Sequence, residues 1–304
     1  MKPDTSVKIG RLKLKNPVMV ASGTFGEEYR ELADIRSLGA VVAKTITLKA
    51  RSGNRPPRLV ETPSGMLNSI GLENKGLDFF VKETLPALTR FKAPVIASIS
   101  GDSEDEFAAL ARALQKRKGL SALELNLSCP NVKHGSSEGL IAQDAEATGK
   151  IVSEVRRATQ LPLIAKLSPN VTDITRIAVA AQDAGADAIT LINTLFGMSV
   201  DIETRRPRLG NVHGGLSGPA IKPVALKIVW DAHKKVKIPI IGAGGIMGHK
   251  DAIEFILCGA SAVQVGTANF VDPRSAVGAI EGIKEYLVKN KIKSVSQLVG
   301  RLET

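Results

Sequence analysis

PVIASIS (94–100), DEFAALARALQKRKG (105–119) and ALELNLS (122–128) follow one another almost without a break, and they set the reading of the whole chain. The first and third are short apolar runs of strand length, and the middle one carries a helical pattern. Its basic end, QKRKG (115–119), suits the negative end of a helix dipole. The triplet therefore reads as strand, helix, strand.

Outward from it the same unit recurs. Toward the N-terminus, NPVMVAS (16–22) precedes EYRELADIRSLG (28–39), and AVVAKTIT (40–47) precedes, past a long insertion, LDFFVKETLPALTRF (77–91). Toward the C-terminus, ALELNLS leads to DAEATGKIVSEVRRAT (144–159), and PLIAKLSP (162–169) leads to DITRIAVAAQDAG (173–185). AITLINT (188–194) leads through a second long insertion to KPVALKIVWDAHKK (222–235). PIIGAGG (239–245) precedes HKDAIEFILCG (249–259), and AVQVGTAN (262–269) precedes PRSAVGAIEGIKEYLVKN (273–290). The strands are nearly continuous apolar runs, as strands buried on both faces should be.

Eight strand–helix units in 304 residues predict an α/β chain closed into a (β/α)8 TIM barrel. VKIGRLKLKN (7–16) reads as a β-hairpin forming a floor outside the barrel, and SVSQLVGRL (294–302) as a short closing helix. Insertions are expected after strands two, four and six. No Pro/Gly/Ser-rich tract divides the chain, so residues 1–304 are expected to be one domain.

Composition bounds the function. Forty-one Lys+Arg against thirty Asp+Glu give a net charge of +11, which favours anionic partners. Aromatic residues are only 4% and the basic residues are dispersed, so most of the charge reads as solvated surface and no nucleic-acid partner is expected. No apolar run reaches the length of a membrane span, and MKPDTSVKIG has no signal-like core. With two cysteines, Cys129 and Cys258, there is no disulfide framework and no paired metal motif. A reducing cytoplasm is the expected compartment.

In a barrel of this type the chemistry lies at the C-terminal strand ends. The polar residues there are Ser22, Lys44 and Thr45, then Ser98 and Ser100, then Asn126, Ser128 and Cys129, then Lys166, Asn193 and Thr194. Lysine in an apolar strand is costly unless something anionic meets it. Lys44 and Lys166 both stand in such runs, and the Gly244–Gly245 and Gly266–Thr267 ends of strands seven and eight offer backbone N–H groups for a phosphate. IGAGGIMG is no dinucleotide fingerprint, since Met247 occupies the third glycine position. Together the residues suggest a phosphorylated cofactor across the barrel mouth.

Cys129 lies in NLSCPN (126–131). A free cysteine packs as a small hydrophobe, yet this one ends a strand at the mouth, where it should face substrate. VKHGSSEG (132–139) after it has the Gly and Ser content of a lid. Cys258, on an alanine-rich helical stretch, reads as packing. His134 and His213 lie in glycine-bearing loops without a second ligand at metal spacing and read as lid or surface residues.

AVVAKTITLKARSGNRPPRLVETPSGMLNSIGLENKG (40–76), NLSCPN, IAKLSPN (164–170), LINT (191–194), GGLSGPAIKP (214–223), IGAGGI (241–246) and VGTAN (265–269) together resemble the dihydroorotate dehydrogenases, FMN enzymes of pyrimidine synthesis. The resemblance covers nearly the whole chain. NPVMVASGTFG (16–26) and PRLVETPSGMLNSIGL (57–72) resemble the class-1B catalytic subunits within that family.

The resemblance implies a role for each matching residue. Ser22, Lys44, Thr45 and Ser98 would touch FMN, with Lys44 also reaching substrate. Asn68, Ser69, Ile70, Gly71 and Leu72 would form the orotate-binding loop. Asn126 would contact flavin and substrate, and Cys129 would be the catalytic base. Lys166 would lie by the flavin N1–O2 edge and Ile192 beside the ring. Asn193 and Thr194 would bind substrate, while Gly218, Gly244, Gly245, Gly266 and Thr267 would hold the ribityl phosphate. One position departs: the family usually has Asn where this chain has Ser98, although a shorter hydroxyl can still hydrogen-bond a flavin.

The class-1B resemblance further implies a partner subunit with FAD and a [2Fe-2S] cluster that passes electrons to NAD+, and a homodimer of barrels within a heterotetramer. This chain lacks the four cysteine ligands of such a cluster and a route to a membrane quinone. Two other readings stand beside it. A class-1A homodimer would give its electrons to fumarate. A tRNA-dihydrouridine synthase would also be a basic FMN barrel with a catalytic cysteine, but would add an RNA-binding domain for which no room is seen after strand eight.

Overall fold

A computed structural model of the chain describes residues 3–29, 31–127 and 143–303. Eight strands form a closed parallel barrel: Val18–Val20, Ala40–Val42, Val95–Ile99, Leu120–Asn126, Leu163–Lys166, Ala188–Leu191, Ile240–Ala243 and Ala260–Val265. Each pairs with its neighbours in sequence, and the eighth closes on the first through Val263 opposite Val18. The strand residues are almost all fully buried, because helices cover the outside and side chains fill the inside. The (β/α)8 expectation therefore holds, with strands shorter than the apolar runs that announced them.

Helices follow the strands at Glu104–Leu114, Ala145–Ala158, Ile174–Asp183, Lys222–His233, His249–Leu257 and Ser275–Lys289. Three begin where an oxygen-bearing side chain accepts from the first free N–H groups: Ser103 from Glu106, Asp144 from Glu146 and Ala147, and Asp173 from Thr175. After strand two, the run from Gly76 to Thr89 is helical but widens to a π-helix over Phe80–Thr84. Pro86, two residues on, has no N–H to donate, so the ordinary ladder cannot pass through it.

The unit after strand one departs from the expected helix. Among its described residues, EYRELADIRSLG and the residue before it hold two 3-10 turns, Glu27–Tyr29 and Ile35–Ser37. Phe25, Ile35 and Leu38 are buried there while Leu32 is 55% exposed, so the described residues show no continuous apolar stripe to hold a longer helix on the barrel.

The hairpin Val7–Ile9/Leu12–Leu14 covers the N-terminal ends of the strands. Arg11 in it donates to the Gln160 carbonyl at 3.0 Å and pairs with Asp187, just ahead of strand six, at 3.7 Å. At the other end the two described insertions meet. Leu59–Thr62 and Gly65–Asn68, from the loop after strand two, pair with each other and then with His213–Ser217 and Leu195–Met198 from the loop after strand six. A Cβ at Gly215 would stand 2.0 Å from Thr194 Oγ1, so only glycine lets this sheet close down on strand six. The insertion after strand four falls within residues 128–142, outside the described residues. The closing helix is a 3-10 turn, Val295–Leu298. Among the described residues no helix is long and apolar enough to cross a membrane.

Candidate active site

The C-terminal strand ends and the sheet above them enclose a cavity of about 400 Å3. Its wall includes Ser22 after strand one, Lys44 and Thr45 after strand two, Asn126 and Lys166 at the last positions of strands four and five, and Ile192, Asn193 and Thr194 after strand six. Gly244 and Gly245 follow strand seven, Gly266 and Thr267 follow strand eight, and Gly218 comes from the second insertion. Asn68, Ile70, Gly71 and Leu72 reach in from the first insertion. Residues from seven strand ends and two loops thus converge on one space.

A line of hydrogen bonds runs along one side. Asn193 Nδ2 donates to Asn126 Oδ1 at 3.5 Å, and Asn126 Nδ2 donates to Thr45 Oγ1 at 3.1 Å. Thr45 Oγ1 also meets Ser22 Oγ at 3.0 Å and Ser98 Oγ at 2.8 Å. Each amide is held by its neighbours, which leaves the wall rigid before any ligand arrives. Lys166 is buried to 8% exposure yet reaches the wall, whereas Lys44 is exposed within it. Asn68 is held by donating to the Gly215 carbonyl at 3.3 Å.

Two predicted residues stand behind the wall. Ser98 is buried against Thr45, and Ser69 is buried where Asn54 Nδ2 donates to its hydroxyl at 2.9 Å. In this structure Ser98 supports Thr45 and Ser69 supports its loop. Cys129, together with Ser128 and His134, lies outside the described residues. His213 sits on the upper sheet, edge-on to Phe196 at 5.8 Å. Cys258 closes the helix His249–Leu257, and burial, helped by Glu254, pushes its thiol up from the ordinary cysteine range.

The glycine cradle fits a phosphate. Gly245 has φ +78°, and a Cβ there would lie 2.7 Å from Lys222 Cβ, so any other residue would close the space beside the start of Lys222–His233. Lys222 itself is turned to Asp251 at 2.6 Å and Glu254 at 2.9 Å. Burial works against its charge, but the two carboxylates outweigh burial and hold Lys222 above the ordinary lysine range. Burial likewise opposes the Asp251 charge, yet Lys222 and the Met247 and Gly248 N–H groups hold Asp251 below the usual carboxylate range. A cavity of this size with one long polar side, one buried lysine and a backbone cradle suits a flat ring carrying a phosphate tail.

A family model described as dihydroorotate dehydrogenase matches residues 5–287, which takes in every strand of the barrel. The chain belongs to the dihydroorotate dehydrogenase family. Relatives named "Dihydroorotate dehydrogenase B (NAD(+)), catalytic subunit" align over its whole length. The protein of Desulforudis audaxviator is 53% identical over 302 residues, covering 99% of this chain and 98% of its own. That of Trichlorobacter lovleyi is 53% identical over 305 residues and all of both chains, and that of Geotalea daltonii 52% over 304 residues and 99% of each.

Three polar residues of this dihydroorotate dehydrogenase family member escaped the sequence reading: Glu124 and Thr190, buried inside the barrel, and Gln264 in the cavity wall. The signal was present. Each is a polar residue in an apolar strand, the same anomaly that singled out Lys44 and Lys166.

Proposed function

We propose that this chain oxidises (S)-dihydroorotate to orotate in pyrimidine synthesis with one bound FMN, and that its electrons pass to NAD+ through a partner subunit. The observation that carries the reading is the convergence of Lys44, Asn68, Asn126 and Asn193 on the cavity that also holds Lys166 and the glycine cradle. FMN supplies the hydride acceptor that side chains lack. Gly218, Gly244, Gly245, Gly266 and Thr267 hold its phosphate, and Ser22, Lys44, Thr45 and Ile192 its ring. Lys166 places a positive charge where the N1–O2 edge gains a negative one.

Substrate is a carboxylate with amide edges, and it needs a cation together with groups that both donate and accept. Lys44 supplies the first; Asn68, Asn126, Asn193 and Thr194 supply the second, with Ser69–Leu72 continuing the orotate-binding loop from Asn68. The proton leaves C5, beside a carbonyl, and Cys129 takes it as general base. An ordinary thiol is a mediocre base at neutral pH, and this role needs surroundings that favour the thiolate.

The partner carries FAD and a [2Fe-2S] cluster, and two barrels associate within a heterotetramer in the cytoplasm. Full-length identity to catalytic subunits named for NAD+ supports this over the fumarate-linked homodimer and over a tRNA-modifying enzyme. The purified chain should be yellow and bleach with dihydroorotate, while reducing NAD+ only once the partner is added. Rapid turnover with fumarate by the chain alone would sink the two-subunit reading.

A further inference from the structure

Inside the barrel, behind the cavity wall, lies a polar cluster to which the roles above assign nothing. Glu124, on strand four, has no solvent exposure. Its Oε2 accepts from Thr190 Oγ1 on strand six at 3.0 Å and from Gln264 Nε2 on strand eight at 2.6 Å. Gln264 Oε1 accepts in turn from Lys166 Nζ on strand five at 3.3 Å. Glu124 Oε1 finds no partner among the described residues.

The chemistry of the groups fixes the order. A lysine only donates, so it must face the oxygen of the Gln264 amide, and the nitrogen is then left for the carboxylate. An amide thus stands between a buried anion and a cation of the cavity wall, with both of its ends in use. A carboxylate gains nothing from burial for packing alone, since an apolar side chain of similar volume fills such a place at equal or lower cost. Gln264 and Lys166 line the cavity, while Glu124 does not.

We propose that Glu124 is a positioning residue: through Gln264 it holds Lys166 at the cavity wall and offsets part of its charge, and so sets the reduction potential of the bound flavin. This rests on the FMN reading above. The sign follows from the charges. With Glu124 in place, Lys166 favours the electron-rich flavin less than a free lysine would; without it, reduction becomes easier.

Glu124→Gln keeps the shape and an oxygen that can accept from both Thr190 and Gln264, but removes the charge. The midpoint potential of its bound FMN should rise, with the reduced-to-oxidised ratio at a fixed potential up by about tenfold, the scale of one unit charge acting across several ångströms of protein. For a two-electron couple that is about 30 mV. Gln264→Met releases Lys166 from the amide while both charged residues remain, and should shift the potential the same way but by less than Glu124→Gln. The double variant should move no further than Glu124→Gln alone. Should one single variant fail to fold, the direction of shift in the other decides. A lower melting temperature with an unmoved potential would make Glu124 structural and overturn the proposal, as would additive shifts. If the wild-type protein takes up no FMN in a titration followed by absorbance, the flavin reading fails and this inference with it; if FMN binds and no potential moves, only the inference fails.

Discussion

At the N-terminal ends of the strands, Asp187 accepts from Arg156 at 3.0 Å and from the Leu163 N–H at 2.9 Å, with Arg11 of the hairpin 3.7 Å away. At the C-terminal ends Lys44 and Lys166 point into a cavity of about 400 Å3. The same strands make both ends. The lower one answers a half-buried charge with protein groups, and the upper one brings two lysines to the wall of a cavity. Closure by a hairpin costs nothing in function because no loop of that end carries chemistry. The upper end is built from loops that must stay open to substrate, so its lysines stand at the wall of a cavity instead of beneath a floor.

The largest effect should come from the upper end. Cys129→Ala should leave FMN bound and the melting temperature unchanged, yet slow flavin reduction by dihydroorotate ~10²–10⁴-fold in stopped flow, the usual contribution of a general base. Reduction at the parental rate would remove Cys129 from that role. At the lower end, Asp187→Ala strips the partner from Arg156 and the Leu163 N–H. Denaturant unfolding should show a loss of about 1.5–3 kcal/mol, the scale for charged hydrogen bonds, with kcat and KM for dihydroorotate unaltered. Lost activity at unchanged stability would break the division between the ends.

Smaller effects sharpen it. Gly245→Ala forces a side chain into the left-handed region against Lys222, at a cost of about 1–2 kcal/mol. Titration of apoprotein should show FMN bound roughly tenfold more weakly, with dihydroorotate KM little moved once FMN is saturating. Asp251→Asn probes the support of the cradle. Because Asp251 is depressed in the folded state, its contribution is present above the ordinary carboxylate range and is lost as pH falls through its lowered value. The variant should therefore be less stable than wild type at neutral pH by about 0.3–1 kcal/mol, the scale of a surface pair. The gap should close as pH drops below about 4. A gap that persists in acid would mean the loss is one of packing.

Much of the site was legible because the barrel turns a local property into a location. A polar residue at the end of an apolar run becomes a residue at the mouth, and Ser22, Lys44, Thr45, Asn126, Lys166, Asn193 and Thr194 all line the cavity. Ser98 was assigned to the wall by the same rule and stands behind it, since side chains alternate in direction along a strand and Thr45 intervenes. The helix expected over residues 28–39 failed because a repeating unit was extended to a stretch whose apolar residues do not make one face.

From its own residues the chain determined the strand–helix rhythm, the closed barrel and the family, because strand and helix periods are local and the motif residues sit at the ends of those periods. Only the tertiary structure decided that Gly65–Asn68 pairs with His213–Ser217, since those segments meet only after the barrel brings strands two and six to the same end. It decided, too, that Glu124, Thr190, Gln264 and Lys166, carried by four different strands, join into one line of hydrogen bonds. Such contacts depend on register and tilt around a closed sheet, and neither is written in the spacing of any single strand.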